Sequence, residues 1–173
     1  MSELVYYVAS SLDGFIAHVN GAIDGFEWDD EVVSDFFEDQ KKFGTVLMGR
    51  KTYDVGLKEG KTSPYPDMHQ IVFSKTMKES PDAAVELVNS DPVSYVKKLK
   101  SEKEKPIWIC GGSDIATQLV KAKLIDKIVI KLNPVVFGAG IPLFGSVPKH
   151  ISLELIDQKR YGCGIVFNSY DVV

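Results

Sequence analysis

The sequence predicts an α/β fold: a three-layer sandwich whose mixed, mostly parallel sheet has helices on both faces and ends in an antiparallel hairpin. Short apolar runs of strand length alternate with segments of helical periodicity through most of the chain. The last two runs flank the turn Tyr161–Gly164, which predicts the hairpin. The 173 residues match the usual size of one domain, so we predict a single domain over residues 1–173.

Each strand is predicted from a short apolar run, mostly β-branched or aromatic, that is bounded by turn residues. The predicted strands are Leu4–Ala9, Phe15–Ala17, Thr45–Gly49, His69–Ser74, Ala84–Val88, Pro106–Cys110, Ile125–Leu132, Ser152–Arg160 and Ile165–Val172. Helices are predicted where capping or turn residues precede a periodic apolar face. They start after Asp29 or Asp30, after Gly49 and after Asp91, and one spans Ser113–Ala122. The segment Ala17–Trp28 lacks periodicity, which is typical of a long functional loop.

Composition argues against several classes of partner. The net charge of −4 disfavours general binding to nucleic acid or to an anionic membrane surface, because both require excess Lys and Arg. Two cysteines are too few for a disulfide framework, and this favours a cytoplasmic location. His18, His69 and His150 lack the spacing of metal ligands. We therefore expect a small-molecule ligand and no metal, nucleic acid or membrane partner.

Two strand-to-helix junctions carry glycine where packing is usually tightest. They are LMGRKT, residues 47–52, and ICGGSD, residues 109–114. Helix N-termini offer free N–H groups and partial positive charge, and glycine lets a phosphate approach the backbone. Neither GxGxxG nor GxxxxGK[ST] is present, which argues against a nucleoside triphosphatase. Spacing alone leaves two interpretations open, a phosphate site or a pair of tight turns beside exposed cations.

Several motifs, taken together and in order, resemble a known family. They are VYYVASSLDGFIA, VLMGRKTYD, IVFSK and IWICGGSDIATQLV, followed by DKIVIKLNPVVFGAGIPLFG. This series is similar to the dihydrofolate reductase-like superfamily. It most resembles stand-alone relatives of the C-terminal reductase domain of riboflavin biosynthesis, RibD. Each motif alone is loose, but their shared order over nearly the whole chain is specific.

The resemblance implies NADPH as the cofactor. Ala9 and Ile16 would border the nicotinamide ring, and the other implied contacts lie at three strand ends. The implied contacts to the phosphates and riboses are Gly49, Arg50, Lys51, Thr52, Ser74, Lys75, Gly111, Gly112, Ser113, Asp114 and Ile115. The resemblance also implies a cis peptide between the two glycines.

The residues expected to contact the substrate depart from the pattern of the family. The carboxylate by which dihydrofolate reductases hold the pterin falls on Val33, and its threonine partner falls on Lys131. The glutamate that precedes the diglycine in the riboflavin reductases falls on Cys110. The catalytic residue is therefore unknown, with Asp35 or water as the candidate proton donor. The predicted substrate contacts are Trp28, Val33, Phe36, Phe37 and Lys131, although the aromatic ones also suit a plain core.

We therefore predict an NADPH-dependent reductase that transfers hydride directly to a small heterocycle of the pterin or pyrimidine type. Two alternatives stay open: a nucleotide-binding module that has lost catalysis, and a divergent dihydrofolate reductase. The C-terminal hairpin, Ser152–Val172, has the potential to form an exposed edge, and riboflavin reductases pair as dimers, so we expect a homodimer.

Overall fold

The computed structural model describes all residues, 1–173. The strands are Leu4–Ser10 (β1), Phe15–Ala17 (β2), Thr45–Gly49 (β3), His69–Phe73 (β4), Val85–Val88 (β5), Ile107–Gly111 (β6), Lys127–Leu132 (β7), Ile141–Pro142 (β8), Leu153–Arg160 (β9) and Val166–Val172 (β10). The helices are Asp30–Gln40 (α1), Arg50–Lys58 (α2), Pro92–Glu102 (α3) and Ser113–Lys121 (α4). None of the helices is long and apolar enough to cross a membrane.

Eight strands form one mixed sheet in the order β5-β4-β3-β6-β1-β7-β10-β9. All pairs from β5 to β7 are parallel, whereas β10 runs antiparallel to both β7 and β9. The predicted fold class is confirmed, including the C-terminal hairpin. The parallel strands place their carboxyl ends at one edge of the sheet, where α/β proteins bind ligands.

An apolar core fills the space on each face of the sheet, because successive strand residues point to opposite sides. On one face, Tyr6 and Ile109 pack with residues of α3 and α4 such as Leu119. On the other face, Tyr7 and Trp108 pack with residues of α1 and α2. The indole N–H of Trp108 donates to the Tyr7 carbonyl at 2.9 Å, which satisfies its buried donor.

A second, two-stranded sheet was not predicted: β8 pairs antiparallel with β2. Gly140, just before β8, lies so close to β2 that a Cβ there would be 2.2 Å from the carbonyl oxygen of Ala17. Asp13 fastens the same two loops, because its carboxylate accepts from the N–H groups of Phe137 at 3.0 Å and Gly138 at 2.7 Å. These contacts fix the position of Ile16 beside the carboxyl end of β1.

Candidate cofactor and substrate cleft

A cleft of 2320 Å³ opens at the carboxyl ends of β1, β3, β4 and β6. All of the residues that the resemblance implied for the cofactor line it, and so do all of the predicted substrate contacts. The fold therefore brings together groups from strand ends that lie far apart in sequence. Asp35 is the one predicted site residue that does not line the cleft.

The two glycine junctions meet inside this cleft. A Cβ on Gly112 would lie 3.7 Å from the backbone nitrogen of Gly49, and a Cβ on Gly49 would lie 3.4 Å from Cδ1 of Ile115. A Cβ on Gly111 would lie 3.4 Å from Oγ1 of Thr52. Gly112 has a φ of +105°, which side chains rarely adopt, so glycine is required there. The peptide between the two glycines is trans, like every other peptide in the chain, so the expected cis bond is wrong.

The helices that start at the two junctions lack side-chain caps. Gly49 precedes α2 and Gly112 precedes α4, and neither can bond the first-turn N–H groups. The other two helices are capped by carboxylates: Asp29 accepts from Glu31, and Asp91 accepts from Ser94. An uncapped helix N-terminus in a cleft offers free donors and positive potential to an anion. The geometry therefore fits a diphosphate between α2 and α4.

Cations stand at the rim of the cleft beside these helices. Arg50 donates from Nε to Oδ1 of Asp54 at 2.7 Å, while its two Nη groups have no protein partner. Lys75 is exposed and lies two residues past the end of β4. The hydroxyl oxygen of Ser74 accepts from the N–H of Met77 at 3.0 Å, which shapes the turn that carries Lys75. Arg50 and Lys75 can therefore both present positive charge to an anionic ligand, although Asp54 offsets part of the charge of Arg50.

The other end of the cleft is apolar and aromatic. Ala9 and Ile16 lie there at the end of β1 and in β2, and Val33 lines the wall in the position expected for an acid. Trp28 and Phe37 are each 57% exposed although they border the cleft. Phe36 instead contacts Tyr7 and Trp108 edge to face and belongs to the core as well. Exposed aromatic faces of this kind are typical of a binding surface for a flat ligand.

Asp35 points to the C-terminal hairpin. Its Oδ2 accepts from the Tyr161 hydroxyl at 2.6 Å and also from the Lys159 ammonium. Hydrogen bonds from Lys159 and Tyr161 hold the pKa of Asp35 below its ordinary value. A carboxylate kept ionised and outside the cleft does not fit a proton donor, so the structure does not support the candidacy of Asp35.

Tyr65 is a cleft residue that the sequence analysis missed. Its hydroxyl lies 3.1 Å from Sγ of Cys110, and its ring packs edge to face on Trp108 at 4.9 Å. Burial raises the pKa of the Cys110 thiol to about 11, against a smaller opposing effect of the Tyr65 hydrogen bond. Both groups are therefore protonated at neutral pH. Tyr65 lies between two prolines with no motif around it, so no local pattern could have identified it.

The model of the RibD C-terminal domain family matches residues 3–167. This chain belongs to that family. The uncharacterized protein YwjB of Bacillus subtilis strain 168 is 36% identical to it over 164 residues, with 92% of each chain covered.

Solved structures support the same relationship. A protein from Shewanella sp. PV-4 that is provisionally assigned to riboflavin biosynthesis superposes with a TM-score of 0.86 and 28% identity, covering 100% of this chain and 99% of that one. Dihydrofolate reductase from Enterococcus faecalis, in complex with NADP(H) and RAB-propyl, has a TM-score of 0.69 at 19% identity, covering 98% and 96%. The second likeness shows the fold alone. The family model and these two structures therefore agree on the fold of this chain.

Proposed function

We propose that this protein is an NADPH-dependent reductase that transfers hydride directly to a small heterocyclic substrate. The observation that carries the proposal is the meeting of two uncapped helix N-termini at Gly49 and Gly112. Two sets of free N–H groups, each behind a glycine, suit the two phosphates of a dinucleotide.

The first turns of α2 and α4 would bind the diphosphate, with Lys51, Thr52, Ser113 and Asp114 in those turns. Arg50 and Lys75 would hold the adenosine 2′-phosphate. Arg50 is the first residue of α2, and Lys75 lies just past the end of β4. The unpartnered Nη groups of Arg50 suit a two-donor contact to a phosphate. Ser74 would support Lys75 through the turn that it shapes.

The nicotinamide ring would lie against Ala9 and Ile16 at the apolar end of the cleft. NADPH supplies a hydride from C4 of this ring when it is bound. The residues around it would hold the acceptor at hydride-transfer distance and exclude water, which is most of what a protein contributes in such a reaction. Trp28 and Phe37 would cover the face of the acceptor ring.

An oxidation assay tests the proposal and separates it from a binding module that has lost catalysis. NADPH absorbance is followed with a panel of pyrimidine and pterin acceptors, and NADPH binding is measured in parallel. We expect NADPH to bind and at least one conjugated heterocycle to be reduced. NADPH binding without oxidation across the panel supports the binding module, and absence of NADPH binding contradicts both.

A further inference from the structure

Two lysines of this protein are equally buried, but their surroundings differ. Lys100 and Lys131 are each 6% exposed. The ammonium of Lys100 pairs with the carboxylate of Asp126 and also donates to the Leu124 carbonyl at 2.7 Å. Lys131 forms a hydrogen bond to the carbonyl of Glu27, and it makes no ion pair. One buried lysine therefore has its counter-ion within the protein, and the other does not.

Lys131 lies at the apolar end of the cleft. It is in register with Ala9 on the neighbouring strand, and its side chain lines the cleft wall. Its Nζ lies 4.2 Å from the ring centroid of Trp28, in cation–π contact. Asn133 fixes the segment before Trp28 by accepting from the Glu27 N–H at 3.1 Å. The ammonium and the indole thus contact each other directly, and the ammonium makes one hydrogen bond to the protein.

A buried charge without a counter-ion is costly, so a lysine of this kind in a cleft is a candidate to pair with an anionic ligand. Burial lowers the pKa of Lys131, and only longer-range attraction from Cys163 and Glu27 opposes that effect.

The acids that line the cleft lie elsewhere and are engaged. Asp54 pairs with Arg50, Glu59 pairs with Lys61, Asp91 caps α3, and Asp114 accepts from Gln118. None of them forms an ion pair with Lys131, and the attraction from Glu27 acts beyond ion-pair distance, so no carboxylate of the chain pairs with this ammonium directly.

We propose that Lys131 is the counter-ion of an anionic oxygen on a flat conjugated substrate that packs beside Trp28. The inference rests on the proposed function in placing the substrate at this end of the cleft. It assigns the class of the substrate, a ring bearing a carboxylate or another oxyanion, and it makes Lys131 the residue that selects for that charge. Val33, in the position of the pterin-binding acid, is consistent with it, because the wall has no carboxylate to hold a cationic ring.

Binding of three matched bicyclic probes tests the inference. The probes 2-naphthoate, 2-naphthamide and 2-naphthamidine share the naphthalene ring system and differ in charge. Affinities are measured by calorimetry on the protein saturated with NADP⁺ and on the protein alone. A charge-assisted hydrogen bond in a partly buried site favours the anion by about tenfold over the neutral amide. We expect the order naphthoate, naphthamide, naphthamidine, with the cation weakest.

Variants connect the preference to the residue. Lys131→Met should remove the preference for the anion, whereas Lys127→Met, on the same strand and far from the cleft, should keep it. Equal affinities for the three probes, tighter binding of the amidine, no binding of any probe, or a preference that survives in Lys131→Met each overturn the inference. NADP⁺ binding is read in the same experiment. If the wild-type protein does not bind NADP⁺, that result counts against the proposed function and not against the role of Lys131.

Discussion

The backbone nitrogen of Gly49 lies 3.7 Å from the position that a Cβ on Gly112 would occupy. Residues 63 positions apart thus place the starts of α2 and α4 against each other, and neither start has a side-chain cap. This juxtaposition creates a concave surface of backbone N–H groups at the carboxyl edge of the sheet. Larger side chains at either position would fill it.

Gly112→Ala is expected to destabilise the protein by about 1–3 kcal/mol, because a Cβ disfavours the φ of +105° observed there. Gly49→Ala is expected to cost less than about 1 kcal/mol, because its φ of −76° is ordinary and its Cβ would lie no closer than 3.4 Å to its neighbours, Ile115 and Gly112. Gly162→Ala is the control, since a Cβ there meets nothing within 4 Å. Urea unfolding gives the three values, and Gly112→Ala as stable as Gly162→Ala would contradict the strain.

Asp13 should stabilise the loops around β2 in a pH-dependent way. Hydrogen bonds from Ser11 and from the N–H groups of Phe137 and Gly138 lower its pKa from 3.8 to about 2. The lowered pKa means that its contribution is present above pH 3.8 and is lost as the pH falls through about 2.

Asp13→Asn is therefore expected to be less stable than the wild type at neutral pH, with a difference that shrinks as the pH falls toward about 2. Urea unfolding of both proteins across that range measures the difference. Asp67→Asn, on an exposed loop, is the control. A stability difference that stays constant from neutral pH to about pH 2 would disagree with this role for the Asp13 carboxylate.

Dihydrofolate is expected to be a poor substrate. The resemblance assigns the position of the pterin-binding acid to Val33, which lines the cleft, and Asp35 is bonded to the hairpin. Val33→Asp should tighten dihydrofolate binding by about tenfold or more, because a carboxylate there can form a charge-assisted hydrogen bond. Ser34→Asp, on the exposed side of the same helix, should not. Efficient reduction of dihydrofolate by the wild-type protein would refute this expectation.

The strand-end glycines were predictable because their signal is local. A glycine pair after a buried strand identifies the junction. Because the strands alternate with helices and are parallel, their carboxyl ends, and therefore the junctions, lie at the same edge of the sheet. The short strand β8 was not predictable, because its two residues are fixed by pairing with β2 and by the close approach of Gly140 to Ala17, which are both long-range contacts. The direction of Asp35 depends on Tyr161, 126 residues away, so helical spacing could not reveal it.

The partners of the buried polar side chains could not be predicted from the sequence either. Lys100 and Lys131 look alike in sequence, and only the packed structure shows that one has a carboxylate partner and the other has not. Likewise, Tyr65 reaches Cys110 from a proline-flanked loop that has no periodicity. Such contacts depend on long-range packing, which a local pattern does not encode.

We expect the protein to form a homodimer through β9. All eight residues of this edge strand are exposed, and Leu155 and Ile156 are 52% and 46% exposed. An open edge with apolar side chains favours association with another chain. Leu155→Lys should therefore shift the protein toward monomers in light scattering, whereas Val136→Lys, at an exposed apolar position on another surface, should not. A wild-type particle containing one chain at micromolar concentration would rule out the dimer.

The most direct test of NADPH as the cofactor is calorimetric titration of NADPH and NADH into the wild type, Arg50→Ala and Lys75→Ala. The 2′-phosphate should favour NADPH by about tenfold to a hundredfold, toward the lower limit because salt screens the exposed rim. Arg50→Ala should lose more of this preference than Lys75→Ala, since the guanidinium offers two donors to a phosphate. The double variant Arg50→Ala with Asp54→Ala removes the carboxylate that Arg50→Ala alone would leave unpaired. Lys98→Ala controls for the loss of a surface cation. NADH affinity should change little in all of them. Equal affinity of the wild type for NADPH and NADH, or no binding of either, would contradict the assignment.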